Sequence, residues 1–201
     1  MKSAGQEKVK EQIENHLDER EARWFAVYTR FRREKQVLRR LTDKGVHAYL
    51  PLQSFTRRYT RKVKQVDLPL INGYIFTRIT KKDYVPVLET PDVVNFVRFS
   101  RNLISIPEAE INLIRRILGE GIDVEVSMEA FRLGDEVEVI AGQLTGLKGR
   151  LVRKENEKNF LVELETLGCG LCMYVEPGYL NRLKENPGWK PEEKGVGIWG
   201  L

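Results

Sequence analysis

Leu68-Pro69-Leu70-Ile71-Asn72-Gly73-Tyr74-Ile75-Phe76 is the stretch whose reading decides the fold. It reads as a turn feeding a strand. Gly73 permits a sharp change of backbone direction, and Tyr74, Ile75 and Phe76 are large apolar residues that a pleated strand turns to alternate faces. Both faces of such a strand need cover. Helices of the same chain can supply one. The other is either sealed by the same domain or left for a partner, as large exposed apolar patches usually are.

The sequence before this strand is strongly basic. The chain has 201 residues with 34 Lys and Arg against 29 Asp and Glu, a net charge of +5 and a sequence pI of about 9.2. The excess is local: residues 28–64 hold twelve Lys or Arg against two acids, Glu34 and Asp43. Such a block points to a polyanion, with an ordinary solvated surface as the plain alternative. No run of 18 apolar residues occurs and the N-terminus lacks the apolar segment of a signal peptide, so a cytoplasmic protein with no membrane contact is expected. Two cysteines, Cys169 and Cys172, fit a reducing compartment.

In chain order, residues 1–23 have sparse apolar positions (Val9, Ile13, Leu17) that predict a loosely attached, weakly amphipathic helix, an N-terminal extension. Trp24-Phe-Ala-Val-Tyr28 predicts a strand with Trp24, Ala26 and Tyr28 on one face. Residues 33–44 predict a helix that buries Val37, Leu38 and Leu41 and offers cations on another side, closed by Gly45. A short strand over 46–50 and a cationic hairpin over 53–68 lead to the central strand. A short helix over 82–90, a strand over 93–99 and a helix capped by Ser105 and Glu108 complete an α+β domain over 24–118, an antiparallel sheet with flanking helices.

Residues 119–130 carry four acids and no base and read as an extended linker. From 131 to 183, five short strands separated by glycine-rich turns predict a small all-β barrel, and residues 184–201, rich in Gly and Pro, a disordered tail.

Two stretches carry a family resemblance. Gly134-Asp-Glu-Val-Glu-Val-Ile-Ala-Gly-Gln-Leu-Thr-Gly-Leu-Lys-Gly149 looks like the KOW motif of an SH3-like barrel. Trp24–Tyr28, the basic helix after it, Pro69–Phe76 and Phe96-Val-Arg-Phe99 together resemble the N-terminal (NGN) domain of NusG-type transcription factors, in the same order and spacing. Tyr28-Thr29-Arg30, Phe96–Phe99 and Leu167-Gly168 make the chain most similar to the specialised antiterminators RfaH and the UpxY proteins of capsule-type polysaccharide operons. Asn72 departs from the family, which tends to have proline before the glycine.

The resemblance implies a monomer that docks an apolar sheet face on the clamp helices of the largest catalytic subunit of bacterial RNA polymerase and suppresses pausing and termination. Tyr28, Ile71, Tyr74, Phe76 and Phe99 match that docking surface. Arg30, Arg32, Arg33, Arg40 and Lys44 match the area that meets non-template or upstream DNA, with Arg57, Arg58 and Arg61 of the hairpin as backbone contacts. It further implies that the barrel recruits a ribosomal protein or a termination factor. A KOW-bearing ribosome- or RNA-binding protein without polymerase function is the alternative.

No chemistry is indicated. Cys169-Gly-Leu-Cys172 lacks the second pair or neighbouring histidines of a zinc site, since His16 and His47 lie far upstream, and lacks the βαβ setting of a redox pair. No phosphate loop, nucleophile elbow or HExxH occurs, so the expectation is no catalytic residue, no metal and no cofactor.

Overall fold

A computed structural model describes residues 13–59, 62–99, 101–127, 133–155 and 158–187. The expectations for Arg61, Val9 and the end of the tail lie outside these residues.

Alternation of apolar side chains builds the first sheet. Strand β1 (Arg23–Thr29) pairs antiparallel with β5 (Tyr74–Ile79), setting Ala26 opposite Phe76 and Tyr28 opposite Tyr74. Strands β2 (His47–Tyr49) and β6 (Val93–Phe96) complete it in the order β2-β5-β1-β6. Phe25, Val27, Ile75 and Ile79 form one core with Val37 and Leu41 of helix α1 (Glu34–Asp43) and Val87 of helix α2 (Tyr84–Leu88). Trp24, Ala26 and Phe76, on the opposite face, join Ile111, Ile114 and Ile117 of helix α3 (Glu108–Gly119). Strands β3 (Leu52–Tyr59) and β4 (Lys62–Pro69) form the expected hairpin as a two-stranded sheet of their own, with Arg57 opposite Lys64.

A second antiparallel sheet of six strands follows in the order β12-β8-β9-β10-β11-β7. Its members are β7 (Val124–Ser127), β8 (Leu133–Val139), β9 (Lys148–Glu155), β10 (Lys158–Leu164), β11 (Cys169–Met173) and β12 (Leu180–Lys184). Gly149 is required where β9 crosses β10, because a Cβ there would sit 2.4 Å from the Leu161 carbonyl oxygen and 2.6 Å from the Phe160 ring.

The structure corrects four expectations. The stretch 119–130 is in part a strand: β7 pairs with β11, and its Val124 and Val126 turn inward while Glu125 stays exposed. The sheet also extends past 183 to Lys184, and Asn186 donates its N–H to Asp135, so the tail is fixed at least that far. Residues 13–22 contain no helix; they run along the first domain, with Leu103 N–H donating to Glu14 and Lys81 N–H to the Asp18 carbonyl. Ser105 does not cap α3. Pro107 holds the cap position, and Ser105 instead pairs with His16 through a backbone N–H to Nδ1 bond of 3.1 Å and a side-chain contact of 3.0 Å.

Candidate functional site

The apolar face of the first sheet ends in two tyrosines. Tyr28 and Tyr74, cross-strand partners, lie with ring centroids 4.6 Å apart and hydroxyls 2.7 Å apart. Tyr28 is 39% exposed and Tyr74 half-buried. Burial, and then the hydrogen bond with Tyr28, pushes the Tyr74 hydroxyl well above the ordinary tyrosine range. Phe99 is half-buried beside the same core, whereas Ile71 and Phe76 are sealed within it and Phe76 stacks on Tyr49 at 6.3 Å. Of the five residues expected to form a docking surface, only Tyr28, Tyr74 and Phe99 therefore have surface to offer.

Part of the reason lies in the second sheet. One uninterrupted apolar core runs from Trp24, Ala26 and Phe76 through α3 to Val139, Leu144, Leu171 and Met173, with Tyr74 and Phe99 packed against it. Two polar clamps flank this contact. Arg116 of α3 donates to the carbonyl oxygens of Thr145 at 2.7 Å and Gln143 at 3.3 Å. Glu110 accepts the Thr166 N–H at 3.0 Å through Oε1, while its Oε2 is buried without a partner. Cys169, at the start of β11, is buried close enough for its thiol to be pushed up to about 11, by burial first and the Glu110 carboxylate second.

The turn before β5 is held from two sides. Gly73 has φ +77°, a conformation that disfavours side chains; its carbonyl accepts the Thr29 N–H at 2.8 Å, and its own N–H donates to Glu34 Oε1 at 2.8 Å. Glu34 is 4% exposed, so one of the two acids in the basic block is structural and leaves the outward charge more positive still.

The cations divide into two sets. Arg40 donates to the Asp92 carboxylate and to the Pro91 carbonyl, and Lys44 donates to the Pro86 carbonyl and to Thr90 Oγ1, each at 2.9 Å for Lys44. Both tie α1 to the α2–β6 corner while staying at the surface, Lys44 exposed and Arg40 partly so, whereas they were expected in a nucleic-acid surface. The Arg40 guanidinium, with smaller contributions from Arg33 and Arg30, holds the Asp92 carboxyl below the usual carboxylate range. Arg30, Arg32 and Arg33 stay exposed on the loop between β1 and α1, as do Arg57 and Arg58 on the hairpin. Phe31, which the sequence reading passed over, stands 67% exposed among the three loop arginines.

Cys169 and Cys172 are both buried, on opposite faces of β11, Cys169 in the main core and Cys172 with Val152 and Leu161. Among the described residues, no cluster of three or more His, Cys, Asp or Glu is arranged to hold a metal, and no helix is long and apolar enough to cross a membrane.

A solved structure showing domain interaction in Thermotoga maritima NusG overlays with a TM-score of 0.49 at 19% identity, covering 81% of this chain and 98% of that one. The transcription termination/antitermination proteins NusG of Streptococcus pyogenes serotypes M3 and M1 are 26% identical over 156 residues, 71% of this chain and 86% of theirs. Residues 22–115 match the family model described as transcription termination factor NusG.

Proposed function

We propose, with a NusG-like first domain over residues 22–115 as the premise, that the chain is a specialised transcription antitermination and elongation factor. It binds elongating RNA polymerase through the clamp helices of the largest catalytic subunit and suppresses pausing and termination at polysaccharide-type operons. The observation that carries the reading is the Tyr28–Tyr74 pair at the rim of an apolar sheet face, two amphipathic rings with hydroxyls 2.7 Å apart. A pair of helices lying on an apolar surface is anchored by such aromatics at its edge. Phe99 adds a third contact, and Ile71 and Phe76 back the surface from below.

The second sheet, a KOW-type barrel in this reading, lies against the same core, so docking requires it to move off. Release exposes Tyr74 and Phe99 fully and leaves the barrel free to meet a ribosomal protein or a termination factor. Ile140 and Tyr179, 55% and 45% exposed and joined by the Ile140 N–H to Tyr179 carbonyl bond, supply an apolar spot for that contact. DNA of the non-template strand or upstream duplex runs past Arg30, Arg32 and Arg33, with the hairpin arginines Arg57 and Arg58 on its backbone.

Retention on immobilised core RNA polymerase tests the reading. Wild type is expected to be retained and Tyr74→Ala to lose binding at least roughly 30-fold, a hot-spot cost of about 2 kcal/mol or more. Failure of the wild type to bind core enzyme, together with binding to ribosomes or RNA, would move the protein into the KOW-bearing RNA-binding class.

A further inference from the structure

The loop Arg30-Phe31-Arg32-Arg33 carries a feature that phosphate neutralisation alone does not explain. Phe31 is 67% exposed, an apolar ring held in water among three exposed guanidinium groups. The Arg32 guanidinium lies 5.0 Å from the centre of that ring, a cation–π pair of two planar groups. The loop is not loose. Arg30 N–H donates to the Asp92 carbonyl at 2.9 Å, Arg33 N–H to the Arg30 carbonyl at 3.0 Å, and Thr29 N–H to Gly73 just before it. Arg32 itself sits at φ +61°, a left-handed conformation that side chains rarely adopt and that a neighbouring fixed structure must maintain. The nearest acids are already engaged, Glu34 with Gly73 and Asp92 with Arg40; Asp92 acts on Arg30 and Arg33 only as a smaller charge effect, so the loop keeps an excess of positive charge.

From this geometry we infer that Arg30-Phe31-Arg32-Arg33 is a stacking platform for an unpaired DNA strand. A base seats on the Phe31–Arg32 pair, and Arg30 and Arg33 take the flanking phosphates. An apolar protein pocket fits the site poorly, because seating Phe31 in it would strip water from three guanidinium groups without returning acceptors. A single strand offers both chemistries in alternation: the π-face of every base and a phosphate beside it. A duplex offers only the phosphates, since its bases are stacked on one another. The inference rests on the nucleic-acid reading of this surface given above and adds to it the strand state and the residue that senses it.

The full-length protein and fluorescein-labelled oligothymidine of about 12 nucleotides, with a DNA duplex and an RNA strand of equal length, make the test by fluorescence anisotropy across a salt series. Single-stranded DNA is expected to bind more tightly than duplex. Phe31→Ala is expected to weaken single-strand binding by roughly 5- to 100-fold, the loss of one stacked base, with the salt slope unchanged and duplex binding unaffected. Phe31→Trp restores it. Arg30→Ala acts differently, reducing the salt slope by about 0.7 on the single strand. Because Phe31 is exposed, unchanged thermal melting of these variants is expected and confirms that folding is intact. Equal loss on single strand and duplex, no loss with Phe31→Ala, or tighter binding of RNA than DNA overturns the platform while leaving the broader nucleic-acid reading standing. Binding of neither DNA form by the wild type overturns both.

Discussion

At the scale of single residues, the cations differ in whether the chain itself already supplies an acceptor. Arg40 and Lys44 sit on the helix face that sequence spacing assigns to solvent, yet both reach acceptors on the α2–β6 corner that lie 42 to 52 positions away in sequence. Helical periodicity reports which side a residue faces and is silent on partners at that separation. Phe31 was missed for a related reason: one exposed ring between arginines has no period to detect, although its three charged neighbours were a signal in plain view. The Arg40–Asp92 pair makes a pH prediction. Asp92 titrates below the usual carboxylate range in the folded protein, so its contribution is fully present above the unfolded aspartate value of about 3.9 and is lost as pH falls through its depressed value. Asp92 has φ +72°, which asparagine also tolerates, so Asp92→Asn removes the charge without straining the backbone. The variant is expected to melt below wild type near neutral pH, and the gap to close progressively in acid below about pH 4. A gap that stays constant down to about pH 2 would show that the ion pair contributes nothing.

At the scale of elements, alternation and glycine placement were the legible signals. Trp24 and Ala26 against Phe25 and Val27, and Phe76 against Ile75, fell on the faces that a period of two assigns them. Strand β7 was illegible because four acids among 119–130 suggested repulsion, whereas Glu125 points outward and only Val124 and Val126 needed to find the sheet edge at β11. The cap at Ser105 failed because His16, 89 residues away in sequence, competes for both its backbone N–H and its hydroxyl. Gly149 is where element packing is least forgiving. The nearest obstacle to a side chain is the Leu161 backbone carbonyl at 2.4 Å, which no rotamer change can relieve, followed by the Phe160 ring. Gly149→Ala is expected to force β9 away from β10 and cost roughly 2–3 kcal/mol, read as a lower urea midpoint with the slope preserved. A midpoint within error of wild type would mean that the crossing is looser than the strand register implies.

At the scale of the whole molecule, the residues expected to meet a partner are in large part covered by the chain itself, which no local pattern could have revealed. An apolar face satisfied by the molecule's own second sheet and one satisfied by another protein call for the same side chains. The contact is nevertheless built from parts that favour opening under defined conditions. Glu110 has a buried oxygen without a partner, and Tyr74 and Cys169 are both held protonated beyond their ordinary ranges by burial. The Tyr74 hydroxyl and the Cys169 thiol ionise more readily in water, so closure is favoured at neutral pH and weakens as pH rises past the ordinary thiol value of about 8.5 toward about 11. Cys169 is itself the reporter. With its thiol pushed up to about 11, Cys169 is almost wholly protonated at about pH 8, where an ordinary cysteine is partly ionised, so alkylation by iodoacetamide is slow for as long as the sheets stay together. Removing both clamps in Glu110→Ala/Arg116→Ala is expected to accelerate Cys169 alkylation by at least about 10-fold at that pH, because the open form regains both water and the ordinary thiol range. Cys172, buried with Val152 and Leu161 on the other face of the same strand, should stay slow and so separates domain opening from unfolding of the second sheet. Equal acceleration of both cysteines would mean that the sheet unravels rather than departs, and no acceleration of either would mean that the two clamps do not hold the covered face shut.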